Sequence, residues 1–307
     1  MKLTLMGSGT SHGVPVVACN CDVCKSTDPK NKRYRASACV SDGEVNIVVD
    51  TGPEFRLQAV RQGLMTLDAI LMTHGHADHL HGLDDIRRFS STKLNGVWHK
   101  QTSWFDLVLH RHGDGIKVFA NKKATKSILS HFDYVFKKTQ KGGGKPRFDL
   151  WPVEEFSEKN PITIGDLKII PIEMMHGTLP ATGYLFTKTD SAGLVHSILY
   201  LTDLSSISEK SIDIINRNKG SLEHLVIDAL RVKPHSTHFC FDDALACAEK
   251  LAPRHTWFTH LTHDLSHDGV QKYIDDHLSS YPVLSGICEN GGSVAPGFDT
   301  LELDGGV

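Results

Sequence analysis

The chain lacks any apolar run long enough to cross a membrane, and its start lacks the apolar leader of a secreted protein. Residues 1–7 instead have the pattern of a short strand. There is also little excess charge, because 33 basic and 36 acidic side chains give a formal net charge of −3. Nucleic-acid binding would need a local basic patch, and none stands out. We therefore expect a cytoplasmic protein that contacts neither membrane nor nucleic acid.

The 307 residues contain 40% hydrophobic and 22% charged side chains, which is typical of a globular protein with a large core. Short apolar runs predict strands at 45–49, 69–72, 167–172, 198–201, 225–227 and 256–258. Helical patterns lie between them, at 53–62, 124–132, 208–218, 242–250 and 269–279. This alternation predicts one α/β domain over residues 1–307.

Residues 90–115 interrupt the alternation, since they carry tryptophan, phenylalanine and histidine without a clear period. This segment is either an inserted loop or lid near the functional site or a surface insertion that packs on the body or on another subunit. The sequence leaves both readings open, and it also leaves open whether the chain forms a homodimer.

The most informative segment is residues 74–79, which read His-Gly-His-Ala-Asp-His and follow the predicted strand at 69–72. His74 and His76 are two residues apart, so their side chains can point the same way and share one metal ion. Asp78 and His79 stand where Leu80 begins a helical period, so they can face a second ion. We therefore predict a site for two metal ions at this strand end.

Three further candidates follow other predicted strands: His176, Asp203 and His260. Together with the 74–79 segment they would give each of two ions three or four protein ligands. Asp203 is of the right type to bridge both ions through one carboxylate. Strand ends meeting at one edge of a sheet core would bring these residues together.

A second cluster consists of Cys19, Cys21 and Cys24, which place three thiols within six residues. In a reducing compartment such a cluster indicates a metal site before a disulfide. Three thiolates are one ligand short of a tetrahedral structural zinc site.

Several blocks together resemble the metallo-β-lactamase superfamily, and most of all its phosphodiesterase branch. They lie at 7–15, 19–24, 50–52, 74–79, 175–176, 183–185, 202–203 and 259–263. The resemblance implies a four-layered αββα sandwich with the metals at one edge of two packed sheets. It also implies the ligand sets, which are His74, His76 and His176 for one ion, Asp78, His79 and His260 for the other, and Asp203 between them. Asp50 would support the ligands from outside the site.

The resemblance extends to the cysteine cluster and to a catalytic histidine. His263, three residues after His260, would complete a structural Cys3His zinc site. His238, 22 residues before His260, stands where the related phosphodiesterase carries a catalytic histidine, and we expect it to donate a proton or bind the phosphate. His235 is its competitor for this role.

The expected activity is hydrolysis of a small or cyclic phosphodiester, or of a nucleotide, by a hydroxide held between two divalent ions, zinc or manganese. Asp78, Asp203 and His238 would be its catalytic residues. Two alternatives keep the fold: a tRNA 3′ processing nuclease like ribonuclease Z, and an oxidoreductase of cofactor biosynthesis. His12 could line the pocket. One of Arg87 and Arg88, on the helix after the metal segment, could reach a phosphate.

Overall fold

The computed structural model describes residues 1–43, 45–93, 115–137 and 144–306. The strands are β1 Lys2–Gly7, β2 Ser37–Asp42, β3 Val45–Val49, β4 Ala69–Leu71, β5 Ile116–Ala120, β6 Phe148–Pro152, β7 Ile162–Ile164, β8 Leu167–His176, β9 Leu179–Thr189, β10 Val195–Leu201, β11 Ser206–Ile207, β12 Ser221–Asp228, β13 His255–Thr259, β14 Ser293–Pro296 and β15 Glu302–Asp304. The α-helices are α1 Asp22–Lys25, α2 Phe55–Arg61, α3 Ala77–Leu80, α4 Arg87–Lys93, α5 Lys122–His131, α6 Asp133–Phe136, α7 Glu209–Asn218, α8 Phe241–Leu251, α9 His267–His277 and α10 Pro282–Glu289. Short 3-10 helices lie at Pro29–Asn31, Leu83–Ile86, Val153–Glu155 and Leu278–Ser280.

The strands of the described residues form two mixed sheets. The first sheet has the order β15-β1-β2-β3-β4-β5-β6, and the second has the order β11-β8-β9-β10-β12-β13-β14, with β7 paired to β8. Strands β3 to β6 are parallel to one another, and so are β10, β12, β13 and β14. Parallel neighbours bring their carboxyl ends to one edge of each sheet.

The two sheets pack face to face, with helices covering both outer faces. Strand β10 shows how the sequence determines this layering. Ile198 and Tyr200 point into the core between the sheets, while Leu199 and Leu201 pack under the helices of the second sheet. Both sets are fully buried, which is why the strand reads as an unbroken apolar run instead of an alternating one. The predicted αββα sandwich is confirmed.

Helices α5, α7 and α9 begin at residues whose side chains cap the first turn. Asn121, Ser208 and Ser266 each accept a hydrogen bond from the backbone amide three residues further on. These caps satisfy amides that have no partner within the helix. They explain why the helical patterns predicted for these segments begin within a few residues of the observed starts.

The continuous helix expected after residue 80 is wrong. Helix α3 ends at Leu80, a 3-10 turn covers Leu83–Ile86, and α4 begins at Arg87. Gly82 is the cause, because a Cβ there would lie 2.1 Å from the carbonyl oxygen of Gly52. The chain therefore turns around the loop after β3. The metal segment and Arg87 are on separate helices.

Two other expectations concern the insert at about 90–115 and the absence of a membrane-spanning segment. Of the insert expected at about 90–115, residues 94–114 lie outside the described residues. Among the helices that are described, none combines the length and the apolar character needed to span a membrane.

Candidate metal centre

The candidate residues come together where strands of both sheets end. In the first sheet β3 leads to Asp50 and β4 leads to residues 74–79. In the second sheet β8 ends at His176, β10 leads to Asp203 and β13 leads to His260. The edge shared by these strand ends therefore carries every histidine and carboxylate predicted for the two-ion site.

One half of the site is a cluster of three imidazoles. A ligand nitrogen from each of His74, His76 and His176 lies within 4.8 Å of the other two. His74 and His176 are buried, whereas His76 is exposed at the surface. A cation at the centre of this cluster would thus be held by two buried imidazoles and would remain accessible to solvent on the side of His76.

The other half contains Asp78, His79, Asp203 and His260, whose ligand atoms also lie within 4.8 Å of one another. The Nε2 atom of His79 is 3.2 Å from Asp78 Oδ2 and 3.0 Å from Asp203 Oδ2. The other oxygen of Asp203 is 3.4 Å from His260 Nε2 and 3.9 Å from His74 Nε2. The Asp203 carboxylate therefore faces both halves, the position that a bridging ligand requires.

The chemistry of this donor set fits cations. Within the described part of the chain, the buried Nε2 atoms of His74, His79 and His260 have no hydrogen-bond partner. Such atoms are rare in protein interiors, because an unpaired buried polar group costs about 1–3 kcal/mol. Two ions bound among the atoms of both clusters would satisfy all three nitrogens.

The protonation states of His74, His176 and His260 favour metal binding as well. Burial, together with the charge of His79, lowers the pKa of His74 well below its usual value. Burial also lowers the pKa of His260 and of His176. A neutral imidazole keeps the lone pair that binds a metal. For Asp78, burial alone would raise the pKa, but the positive charge of His79, together with its hydrogen bond, outweighs it and lowers the pKa.

The second nitrogen of two buried ligand rings is held by the protein. His79 Nδ1 donates to Asp50 Oδ2 over 2.8 Å, and His176 Nδ1 donates to the Thr237 carbonyl over 2.7 Å. Asp50 is fully buried and also accepts from the amide and hydroxyl of Thr73. These bonds fix the rings so that Nε2 faces the centre. Asp50 thus lies where a supporting carboxylate was predicted.

His238 and its partner were only partly foreseen. The Nδ1 atom of His238 lies 2.8 Å from Asp228 Oδ2, which also accepts from the Leu204 amide over 2.7 Å. A ligand atom of His238 lies within 4.8 Å of those of His176 and Asp203. Burial lowers the pKa of His238 and raises the pKa of Asp228. The sequence marks Asp228 only as a polar residue at a strand end that could bind metal, and it predicts no ligand or catalytic role for this residue.

His235 has a different environment from His238. It is exposed, and its Nδ1 atom lies 3.1 Å from the hydroxyl and 3.3 Å from the amide of Thr237. None of the carboxylates in the described residues holds its ring. The structure therefore distinguishes the two histidines, and His238 is the one oriented toward the metal ligands.

The cysteine cluster and His263 form a compact site. The Sγ atoms of Cys19, Cys21 and Cys24 lie 3.4, 3.3 and 3.5 Å from His263 Nδ1. The hydrogen bond from the Cys24 amide, followed by that from His263, lowers the pKa of Cys21 to about 6. Three thiolates and one imidazole at such spacing suit one tetrahedral zinc ion.

The two sites are joined by a short segment, because His260 belongs to one and His263 to the other. The buried guanidinium of Arg33 donates to the carbonyl oxygens of Thr262 and Leu265 in this segment. Burial lowers its pKa to about 10. Arg33 thereby fastens the loop after β1 to the loop after β13.

Three positions at the centre have left-handed backbone. Asp50, Asp203 and His260 have φ values of 59°, 58° and 60°. This conformation is disfavoured for side chains other than glycine, although aspartate and histidine are found in it more often than most. Each of these residues follows the end of a strand, and the turn directs its side chain toward the centre.

Two candidates do not join the site. His12 is exposed in the loop after β1, and no contact with a metal ligand is described for it. Arg87 forms an ion pair with Asp84 on the preceding turn, so its guanidinium already has a carboxylate partner.

Comparison with known proteins identifies the family. A family model described as a beta-lactamase superfamily domain matches residues 45–261. The crystal structure of a new diphosphatase from the PhnP family has a TM-score of 0.75 and 33% identity, over 99% of this chain and 97% of that one. Two further structures share the fold. Zinc-bound PqqB from Methylobacterium extorquens has a TM-score of 0.66 and 15% identity, over 99% of this chain and 100% of that one. Human short-form tRNase Z has a TM-score of 0.60 and 14% identity, over 100% of both chains.

Two named relatives are longer than the region they share with this chain. An octanoyltransferase of Porphyromonas gingivalis is 31% identical over 296 residues, which are 95% of this chain but 52% of that protein. Coenzyme PQQ synthesis protein B of Methylorubrum populi is 34% identical over 101 residues, or 28% of this chain and 34% of that protein. The chain thus spans about half the length of the first. With the match over residues 45–261, the two packed sheets and the His-Gly-His-Ala-Asp-His strand end, the chain belongs to the metallo-β-lactamase superfamily.

Proposed function

We propose that the chain is a metal-dependent phosphodiesterase that hydrolyses a small or cyclic phosphodiester, with two divalent ions, zinc or manganese, at the strand-end site. The observation that carries the proposal is the position of Asp203 between two ligand clusters, with His238 beside it. The 33% identity to a PhnP-family diphosphatase supports phosphate ester chemistry.

The residues that would hold the ions are those of the two clusters. They are His74, His76, His176, Asp78, His79, His260 and, between them, Asp203. Bound there, two divalent ions would lower the pKa of a water molecule and offset negative charge on the phosphate. A structural zinc would occupy the site formed by the three cysteines and His263.

The protein's own contribution to the reaction is a positioned proton donor. Asp228 holds Nδ1 of His238, so the ring directs Nε2 toward the ligand clusters. A proton at Nε2 can pass to the departing oxygen of a phosphodiester, which would otherwise leave as an alkoxide. Burial lowers the pKa of His238 in the free protein. The negative charge of a bound phosphate acts in the opposite direction and favours the protonated ring.

The direct test is turnover of bis(p-nitrophenyl) phosphate and of 2′,3′-cyclic nucleotides by protein stripped of metal and reloaded with zinc or manganese. We expect activity only after reloading. Equal rates before and after reloading would contradict the proposal. Cleavage of precursor tRNA in preference to both substrates would indicate a processing nuclease instead, and metal-dependent oxygen consumption would indicate an oxidoreductase. We place the protein in the cytoplasm, where thiols stay reduced.

A further inference from the structure

His260 differs from His79 and His176 in how its ring is held. The rings of His79 and His176 are fixed through hydrogen bonds at Nδ1. Neither nitrogen of the His260 ring has a hydrogen-bond partner in the described part of the chain, and the Asp228 carboxylate is 4.0 Å from its Nδ1. The position of this ring therefore depends mainly on its backbone, which lies in the segment after β13, residues 260–263.

The 260–263 segment is held by the loops that precede β2. The amide and the carbonyl of Leu261 pair with the loop after β1, over 3.0 and 3.1 Å. The next carbonyl, that of Thr262, accepts from Nη1 of Arg33. The segment ends at His263, whose Nδ1 faces the three cysteine sulfurs. These four residues therefore join the strand-end site to the cysteine cluster.

Arg33 is a buried cation without a paired carboxylate. It is 1% exposed, and no other arginine or lysine among the described residues is buried. Within the same part of the chain it forms no ion pair, and its Nε atom has no hydrogen-bond partner. Asp299 and Asp28 lie within electrostatic reach of it. Asp299 pairs with Arg61 instead, over 3.3 Å. A buried guanidinium in this state is costly unless more negative charge lies nearby.

The cysteine cluster supplies such a charge when it holds zinc. Cys24 is also within electrostatic reach of Arg33. Cysteines bind zinc as thiolates, and three thiolates carry more negative charge than one zinc ion neutralises, so the filled Cys3His site is an anion. The filled site therefore stabilises the buried guanidinium, and the guanidinium stabilises the filled site in turn.

We propose that Arg33 is a positioning residue that couples the two metal sites, so that zinc in the Cys3His site raises the affinity of the strand-end site for the ion that His260 holds. The charge of the guanidinium favours zinc at the cysteines, and its hydrogen bond to Thr262 holds the backbone that carries His260. By linkage, an ion at His260 raises the zinc affinity of the cysteine cluster by the same factor. The inference rests on the metal sites of the proposed function and not on the identity of the substrate.

The test measures manganese binding, because thiolates select zinc over manganese and manganese therefore reports on the strand-end site. Metal-free protein receives either no zinc or a stoichiometric amount, and free manganese is then measured by electron paramagnetic resonance. We expect zinc to raise the manganese affinity about tenfold, which is within the usual range for coupled sites. Equal manganese affinities in the two states would overturn the proposal. Protection of the cysteines from a thiol reagent should accompany zinc addition, and unprotected cysteines would refute the site on which the proposal depends.

Two variants separate the charge of Arg33 from its hydrogen bonds. Arg33→Lys keeps the charge, so the zinc affinity of the cysteine cluster should stay close to that of the unmodified protein. Its ammonium lacks the planar fork that reaches the carbonyls of Thr262 and Leu265, so the gain in manganese affinity should fall. Arg33→Met removes both properties, and it should lower the zinc affinity about tenfold or more and bring the gain close to one. Arg217→Met is the matched control, since it removes a guanidinium paired with Glu158 on the surface, and it should change neither quantity.

The zinc-dependent gain is a readout that a purely structural role of Arg33 would not change. An unchanged gain in Arg33→Met would overturn the proposal. If urea unfolding shows that Arg33→Met does not fold, an unchanged gain in Arg33→Lys has the same meaning. Manganese binding without coupling to zinc would refute only the role of Arg33, whereas the absence of manganese binding in every state would refute the strand-end metal site and the proposed function with it.

Discussion

The Nδ1 atom of His238 and the Oδ2 atom of Asp228 are 2.8 Å apart, and neither residue is adjacent in sequence to any metal ligand. Asp228 ends the strand that lies between those leading to Asp203 and His260. The bond therefore fixes the imidazole of His238 to an inner strand of the second sheet. It gives the imidazole a fixed tautomer, with its free nitrogen toward the metal ligands.

The first prediction concerns this pair. His238→Ala should lower kcat for a 2′,3′-cyclic nucleotide, whose leaving oxygen is an alkoxide, by about 100-fold or more, the usual contribution of a positioned proton donor. Asp228→Asn should lower kcat less, because the ring keeps a partner but not its charge. Steady-state kinetics with metal analysis of each variant is the measurement. Metal content should remain that of the unmodified protein, and His277→Ala, on the remote helix α9, serves as control. Unchanged kcat in His238→Ala would remove this residue from the mechanism.

The second prediction concerns Asp50, which is buried and bonded to His79 Nδ1 and to Thr73. Asp50→Ala would leave these donors without a partner in the core. We expect a loss of about 3 kcal/mol in the free energy of unfolding of the metal-free protein. Metal affinity should fall about 10- to 100-fold, as is usual when a supporting carboxylate is removed. Urea unfolding and competition with a metal indicator test the two effects separately. An affinity equal to that of the unmodified protein would show that Asp50 does not orient His79.

The third prediction separates the two kinds of metal site. Cys21→Ser should reduce bound zinc by about one equivalent per chain while the strand-end ligands remain intact. It should also lower the thermal midpoint, because a structural metal stabilises the folded state by binding. Elemental analysis and thermal unfolding are the measurements, with Cys39→Ser, a buried cysteine away from the cluster, as comparison. Unaltered zinc content in Cys21→Ser would contradict a Cys3His site.

The fourth prediction is a pH dependence of stability at His196. Its Nε2 atom lies 3.1 Å from Asp190 and its Nδ1 atom 3.3 Å from Glu223. The hydrogen bond to Asp190, followed by that to Glu223, raises the pKa of His196 in the folded protein. A raised pKa means that the stabilisation is complete below about pH 6.5, the unfolded value, and is lost as the pH rises through the folded value.

The unmodified protein should therefore have a higher free energy of unfolding than His196→Gln, and this difference should be larger at about pH 5.5 than at about pH 9. The change in the difference between the two pH values should be less than about 1 kcal/mol, because the pair is near the surface. Urea unfolding of both proteins at each pH measures the difference. A gap that stays constant with pH would show that the imidazole does not change its charge in this range.

Much of the metal centre can be predicted from the sequence because its residues follow strands whose apolar runs are easily seen. Strand β3 was predicted with its observed bounds, and the runs that precede His74, Asp203 and His260 all form strands. The metal segment itself is local in sequence, so its clustering does not depend on the tertiary fold. The superfamily can be predicted from the metal segment together with the other sequence blocks that resemble it.

Other features depend on contacts between distant parts of the chain. The helix after residue 80 is interrupted because Gly82 lies against Gly52, which no local pattern reveals. The role of Asp228 becomes visible only when residues 204 and 238 lie against it. The contact of Arg33 with Thr262 spans 229 positions of sequence. Periodicity and spacing carry no information about such pairs.

The left-handed turns at Asp50, Asp203 and His260 have a consequence for divergence among homologues. At each of these turns glycine would relax the backbone by on the order of 1 kcal/mol, so the functional side chain opposes local stability. A lineage that no longer needs the chemistry would gain stability by drifting to glycine at Asp203 and His260, whereas Asp50 is also retained by its buried hydrogen bonds to Thr73 and His79. Glycine at the positions of Asp203 and His260, in a chain that keeps both sheets, would therefore mark a pseudoenzyme.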